Sequence, residues 1–278
     1  MYYFLLLLLV VCCNSVGQDT LSGRDVRIYG NSPVWEAALA IRDNDTVRLK
    51  NLLEGAPDSI LNYREKRFGQ SLLNWSVYRD NYGSARILAE LGADPNLKGN
   101  DSASAFINAA DKYETSDYLR LLLKFGGDVN SVADINKPQR LRTPLIAAAF
   151  NRLESVKLLV GAGANANYIH RTKRGKRGFE NIQSALISAF DGGRIEIVRY
   201  LLIEVGVDFN YQFETTINGK PLYILFFLRE MVFPLDSEEY RNKMEVVQYL
   251  KTKGLDYWSE PVPELYLKQY DKVYLEKY

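Results

Sequence analysis

The chain opens on an uncharged apolar run, Tyr2 to Cys13 (YYFLLLLLVVCC), and only after it does a repeating alternation of apolar and polar positions begin. Aliphatic residues then recur at helical spacing in Ala85-Arg86-Ile87-Leu88, Leu119 to Leu123, Val156-Lys157-Leu158-Leu159, Ile197 to Leu202 and Val246 to Leu250, so each is expected to be a helix. Each is followed by a turn string of one type. These are Gly92-Ala93-Asp94-Pro95-Asn96, Gly126-Gly127-Asp128-Val129-Asn130, Gly163-Ala164-Asn165-Ala166-Asn167 and Gly206-Val207-Asp208-Phe209-Asn210, with Gly254-Leu255-Asp256-Tyr257-Trp258 as a degraded fifth. Upstream of each glycine stands a second helix start, at Ser71-Leu72-Leu73, Ser104-Ala105-Phe106, Thr143-Pro144-Leu145, Ser184-Ala185-Leu186 and Lys220-Pro221-Leu222. Ser or Thr there caps the helix through its side-chain oxygen, and Pro beside it suits a first turn that needs no N–H. Trp35 to Ala40 followed by Val47 to Leu53 adds a degenerate first pair, making six.

The pattern resembles the ankyrin repeat family, whose T-P-L-H-x-A motif opens a unit of about 33 residues. Thr143 to Ala149, Val156 to Leu159 and Gly163 to Asn167 carry the resemblance most fully, and Ser71 to Ser104 spans 33 residues. It implies an all-α fold, an ankyrin-repeat solenoid of about six helix-turn-helix units with short hairpin loops, in which each unit buries its apolar face only against its neighbours. Paired alanines such as Ala109-Ala110 and Ala148-Ala149 would keep the inner helices thin. Where the family has His, this chain has Asn74, Ile107, Ile146, Ile187 and Tyr223, so the turns are expected to be held differently. The loops Ser131 to Arg142, Tyr168 to Gln183 and Tyr211 to Gly219 are lengthened, and Phe226 to Lys243 reads as an insertion between two helices.

This divides the chain into a signal at residues 1–17, a linker at 18–30, the array at 31–258 and a capping helix at 259–278. The signal fits two ends. Ser15-Val16-Gly17 suits signal peptidase, while Cys12 or Cys13 after the apolar run resembles the lipidated cysteine of bacterial lipoproteins. The final segment, Glu264 to Tyr278, places Tyr266, Tyr270, Tyr274 and Tyr278 four apart, which on one helix lines four rings along one side.

Composition narrows function by exclusion. Both cysteines lie in the signal, so the folded part has no thiol for catalysis, disulfides or zinc. With 35 Lys+Arg against 34 Asp+Glu the formal charge is +1, which disfavours nucleic acid as a partner. The single histidine, His170, has no acidic residue beside it, and no Gly-rich phosphate loop or His/Glu spacing suggests a cofactor or metal. Asp94, Asp128 and Asp208 repeat at one structural position and read as turn residues rather than acids or bases. The expectation is a non-enzymatic, monomeric scaffold, exported to the periplasm, envelope or outside, that holds a protein partner on its concave face and loop tips. Two alternatives stay open: an envelope-anchored immunity or inhibitor lipoprotein, and a structural protein anchored at a membrane by a lipidated Cys. The binding candidates are two neighbouring basic loops, with Lys137, Arg140 and Arg142 in one and His170, Arg171, Lys173, Arg174, Lys176 and Arg177 in the other. The inner helices around Asn74, Tyr78, Lys112 and Tyr113 offer a second surface.

Overall fold

The computed structural model describes residues 21–133, 143–174, 179–215 and 219–278. The signal with Cys12 and Cys13 lies outside them. Within them the chain forms six helix pairs, each an inner helix followed by an outer one: Trp35–Arg42 with Thr46–Leu53, Leu72–Tyr78 with Tyr82–Glu90, Ala105–Ala110 with Asp117–Lys124, Pro144–Asn151 with Leu153–Gly161, Ala185–Asp191 with Ile195–Arg199, and Ile224–Glu230 with Glu238–Thr252. From the second unit to the fifth, inner helices pack on inner helices, and outer helices pack on outer ones along the stack. The fold is an all-α solenoid of stacked helix pairs, as the resemblance to ankyrin repeats implies, with short hairpins before the fifth and sixth units.

The cap residues act as their chemistry dictates. The side chains of Ser71, Ser104, Thr143 and Ser184 accept the backbone N–H of Asn74, Ile107, Ile146 and Ile187, at 3.1 to 3.2 Å. At the other end of each unit Gly92, Gly126, Gly163 and Gly206 adopt φ of +74° to +95°, the left-handed conformation that ends the outer helix. Ala109, Ala110, Ala148 and Ala149 are fully buried between repeats. In the fifth unit Val198 lies eight residues before Gly206, where Val156 lies seven before Gly163. The extra residue is absorbed by a π-helical stretch, Tyr200–Val205.

The turn strings hold each other. Asp94, Asp128, Asn165 and Asp208 each accept the N–H two residues on. The donors are the N–H groups of Asn96, Asn130, Asn167 and Asn210. Asn96, Asn130 and Asn167, with Asn62 before them, also reach the next repeat: Asn62, Asn96, Asn130 and Asn167 accept the N–H of Asp94, Asp128, Asn165 and Asp208 at 2.7 to 2.8 Å. Asn96 and Asn130 also donate through their amides to the carbonyls of Gly126 and Gly163.

Both ends depart from the sequence expectation. Residues 21–30 are not a loose linker: Val26–Tyr29 is a short 3-10 helix, and Tyr29 is fully buried with its ring 5.3 Å from that of Trp75. Its hydroxyl donates to the carbonyls of Gln70 and Ser71, and Trp75 Nε1 donates to Gly23, so this segment covers the flank of the first repeats. The sixth inner helix begins at Ile224 rather than at Lys220, because Pro221–Leu222 pairs antiparallel with Glu214–Thr215. The residues read as an insertion, Phe226 to Lys243, are instead the rest of that inner helix, a loop and the start of a 15-residue outer helix. The tail is not one helix. Asp271 caps a second segment, Lys272–Lys277, breaking it from Glu264–Gln269. The four tyrosines still meet, because the break folds them into a cluster: Tyr270 and Tyr274 stack at 4.8 Å, Tyr274 and Tyr278 at 5.5 Å, and Tyr266 sits edge-on to Tyr278. Tyr266 and Tyr274 donate to the carbonyls of Glu230 and Phe233, which closes the end of the sixth repeat.

Candidate functional site

Each inner helix runs from an inter-repeat loop at its N-terminal end to a helix-to-helix turn at its C-terminal end, so these two edges frame one face of the stack. On the loop edge, His170–Arg174 and Phe179–Gln183 form an antiparallel hairpin. Its register places Lys173 opposite Glu180 and Arg171 opposite Ile182. Arg171 is exposed, whereas His170 is buried and stacks on Tyr168 with ring centroids 6.5 Å apart. Below the hairpin the Tyr211 hydroxyl lies 2.7 Å from Ser184 Oγ, and burial pushes the phenol up to about 12 against the opposing pull of Ser184 and Arg171. Lys137, Arg140, Arg142, Lys176 and Arg177 lie outside the described residues.

The four inner-helix candidates separate: Asn74 lies in the first turn of its helix, at the loop edge, and Tyr78, Lys112 and Tyr113 lie toward the opposite edge. Asn74 is buried; its amide donates to the Ala103 carbonyl and its oxygen accepts from Asn108, so it joins two repeats and is withdrawn from any partner. This polar link stands where the family's His would be. Lys112 is paired with Asp80 and largely covered, which neutralises its charge. Tyr78 and Tyr113 remain open, at 40% and 60% exposure, each with an arginine over its ring: Arg24 at 5.0 Å and Arg194 at 5.2 Å. Between these edges a recess of about 50 Å³ opens between the fourth and fifth inner helices, lined by Ile146, Phe150, Ser184, Ser188 and Asp191 among others. A wider, shallower groove of about 640 Å³ lies on the far side, between outer helices, lined by Arg120, Leu153, Lys157 and Leu158 among others.

Among the described residues no group of three or more His, Cys, Asp and Glu converges to hold a metal ion, and no helix is long and apolar enough to cross a membrane. The strongest perturbed base is Lys243, fully buried, which donates to the Met231 carbonyl at 2.8 Å and sits 3.9 Å over the Tyr278 ring. Burial, aided by Arg229 nearby, pulls it down to about 6. It belongs to the seam that holds the tail.

A family profile described as ankyrin repeats (3 copies) matches residues 106–213, the third to fifth units of the stack. An ankyrin repeat protein of Fowlpox virus (strain NVSL) is 29% identical over 124 residues, covering 44% of this chain and 36% of its own length. Protein PhlB of Serratia liquefaciens is 37% identical over 102 residues, 36% of this chain and 43% of its own. The chain thus spans less than half the length of either relative. Ankyrin repeats generally mediate contacts between proteins.

Proposed function

We propose that this ankyrin-repeat chain is an exported, non-catalytic scaffold that holds a partner protein against its inner-helix face and the hairpin tips beside it. One observation supports the reading: that face ends on one side in the exposed, arginine-covered rings of Tyr78 and Tyr113, and on the other in the hairpin bearing Arg171. Exposed tyrosines and arginines are the residue types that carry binding energy at protein interfaces. Export rests on the apolar run Tyr2 to Cys13, and a lipid on Cys12 or Cys13 would hold the array at a membrane surface. A narrower form, in which the partner is a toxin or enzyme that the scaffold neutralises, uses the same surface.

The test is association kinetics with a partner captured by the full chain, comparing wild type with Arg171, Lys173, Arg174, Lys176 and Arg177 all changed to Ser. Charges at a rim act on the association rate and its salt response more than on contact energy. Slower association with most of the salt dependence lost, at unchanged helical content, supports the reading. An unchanged rate and salt response removes the hairpin from the interface.

A further inference from the structure

The loop between the first and second repeats, Tyr63-Arg64-Glu65-Lys66-Arg67-Phe68-Gly69-Gln70, is built around one buried carboxylate. Glu65 is 2% exposed; one of its oxygens accepts the Arg67 N–H at 2.7 Å, and the other accepts the N–H groups of Phe68 at 2.7 Å and Gln70 at 3.0 Å. Hydrogen bonds to an ionised acceptor are the strong kind, so this side chain fixes the loop from within. The next loop clamps it from outside. Asn100 donates its backbone N–H to Phe68 at 2.7 Å and its amide to Arg67 at 3.1 Å. Arg64 Nε donates to Gly69 at 3.1 Å. Gly69 has φ of +68°, and a Cβ there would lie 2.5 Å from Asn100 Oδ1, so the clamp requires glycine.

What this rigid loop displays is Arg64, Lys66 and Arg67, all exposed and none ion-paired among the described residues. Arginines of the outer helices are placed differently. Arg48 faces Glu36 at 2.5 Å, Arg86 faces Glu90 at 3.0 Å and Arg199 faces Glu204 at 2.8 Å. Arg48, Arg86 and Arg199 are thus neutralised on the outer helices, whereas three cations stand together without an ion pair at this inter-repeat loop. In the next loop, Lys98 spends its ammonium on the Val132 carbonyl at 2.7 Å and Asp101 balances its charge, so that tip is neutral.

We propose that the Arg64–Arg67 loop is a second docking point, on the same edge as the paired strands His170–Arg174 and Phe179–Gln183, for clustered carboxylates on an acidic partner protein. This rests on the reading that the partner lies along that edge. A cation cluster held in a fixed geometry by Glu65 and Asn100, and set off from the basic loops further along by the neutral Lys98–Asp101 tip, matches a fixed acidic cluster on a protein better than the uniform, mobile charge of a lipid surface.

The experiment measures fluorescence anisotropy of a labelled polyglutamate peptide against the full chain, at about 20 mM and about 150 mM salt to vary screening. The variant is Lys66→Ser with Arg67→Ser, whose side chains hold no hydrogen bond among the described residues, so circular dichroism should match wild type. The control, Lys50→Ser with Lys251→Ser on outer helices, carries the same change of net charge. The expected result is binding about fivefold weaker for the loop variant, within about twofold of wild type for the control, and a shallower salt response for the former only. Equal losses in both overturn the proposal, since net charge then suffices. Vesicles of phosphatidylcholine and phosphatidylserine losing more affinity to the loop variant than polyglutamate does overturn it in favour of a membrane. Should the loop variant bind polyglutamate normally while the hairpin variant still slows partner association, this inference fails and the proposed function stands. Weaker polyglutamate binding by the loop variant, with partner association unchanged in the hairpin variant, supports the loop and overturns the hairpin's part in the proposed function.

Discussion

The side-chain oxygen of Asn96 accepts the backbone N–H of Asp128, 2.8 Å away across a repeat boundary, while its amide donates to the Gly126 carbonyl at 2.8 Å. Asn96, and likewise Asn130 and Asn167, is thus a clasp between units as well as a turn residue. Asn96→Ala removes both bonds without creating a cavity, because the site is partly exposed, and should cost about 1 kcal/mol in urea unfolding. Asn96→Asp keeps the acceptor and loses the donor, so it should fall between the two. Wild-type stability for the alanine variant would show that the clasp contributes nothing.

Gly127 tests the packing between repeats. A Cβ at this position would lie 2.1 Å from Phe106 Cδ2, and its φ is not left-handed, so any penalty is steric. Gly127→Ala should lose about 1 to 3 kcal/mol by overpacking, and adding Phe106→Leu should recover part of that loss. Additive losses in the double variant would place the strain elsewhere. The same reasoning makes Ala148→Trp destabilising, since Ala148 is fully buried between inner helices.

These two positions also mark what the sequence discloses. Caps at Ser71, Ser104, Thr143 and Ser184 and the closing glycines are local devices, so reading the residues in order predicts them. The clasps are half legible: the bond from Asp94 to Asn96 is local, whereas Asn96 to Asp128 spans a repeat and needs the stack. Tyr29 against Trp75 joins segments far apart in the chain, which is why residues 21–30 read as a linker. The break of the tail at Tyr270 depends on Asp271 as a cap and on tyrosine contacts with the sixth repeat, neither of which four-residue spacing reveals. At the candidate site the basic hairpin stands out by charge alone. Asn74 misleads, because its burial depends on Ala103 and Asn108 in the next unit. Arg64, Lys66 and Arg67 are visible as a charged run, but only the inward turn of Glu65 separates them from an ordinary mixed-charge loop.

The tail seam should respond to pH. Lys243 is held down at about 6 when folded, against an ordinary value of 10.5 in the unfolded chain. Between those values the unfolded chain binds a proton that the folded one does not, so this group's contribution to stability rises with pH across that window and is poorest below about 6. Between about pH 6 and 9 Tm should therefore rise, by about 2 to 4 °C for each kcal/mol relieved. Lys243→Met should flatten that rise; an equal slope in the variant would assign it to other groups.

Processing of the N-terminus is a separate expectation. Mass spectrometry of the chain from its producing cell should find residues 1–17 removed, with Gln18 first. A diacylglyceryl group on Cys12 or Cys13 would assign the array to a membrane surface instead. An intact Met1 in the functional protein contradicts export.

The central claim is that recognition uses the inner-helix face and its loop edge rather than the outer helices. Site-specific photo-crosslinking in the producing cell tests this most directly, with the reactive side chain at Tyr113 or Arg171 and, for comparison, at Lys157 in the outer groove or Arg86 on an outer helix. Partner adducts from Tyr113 and Arg171, with none from Lys157 or Arg86, are the predicted result. Adducts that form from Lys157 or Arg86 and fail at both inner positions would contradict it and move the binding surface to the outer side of the stack.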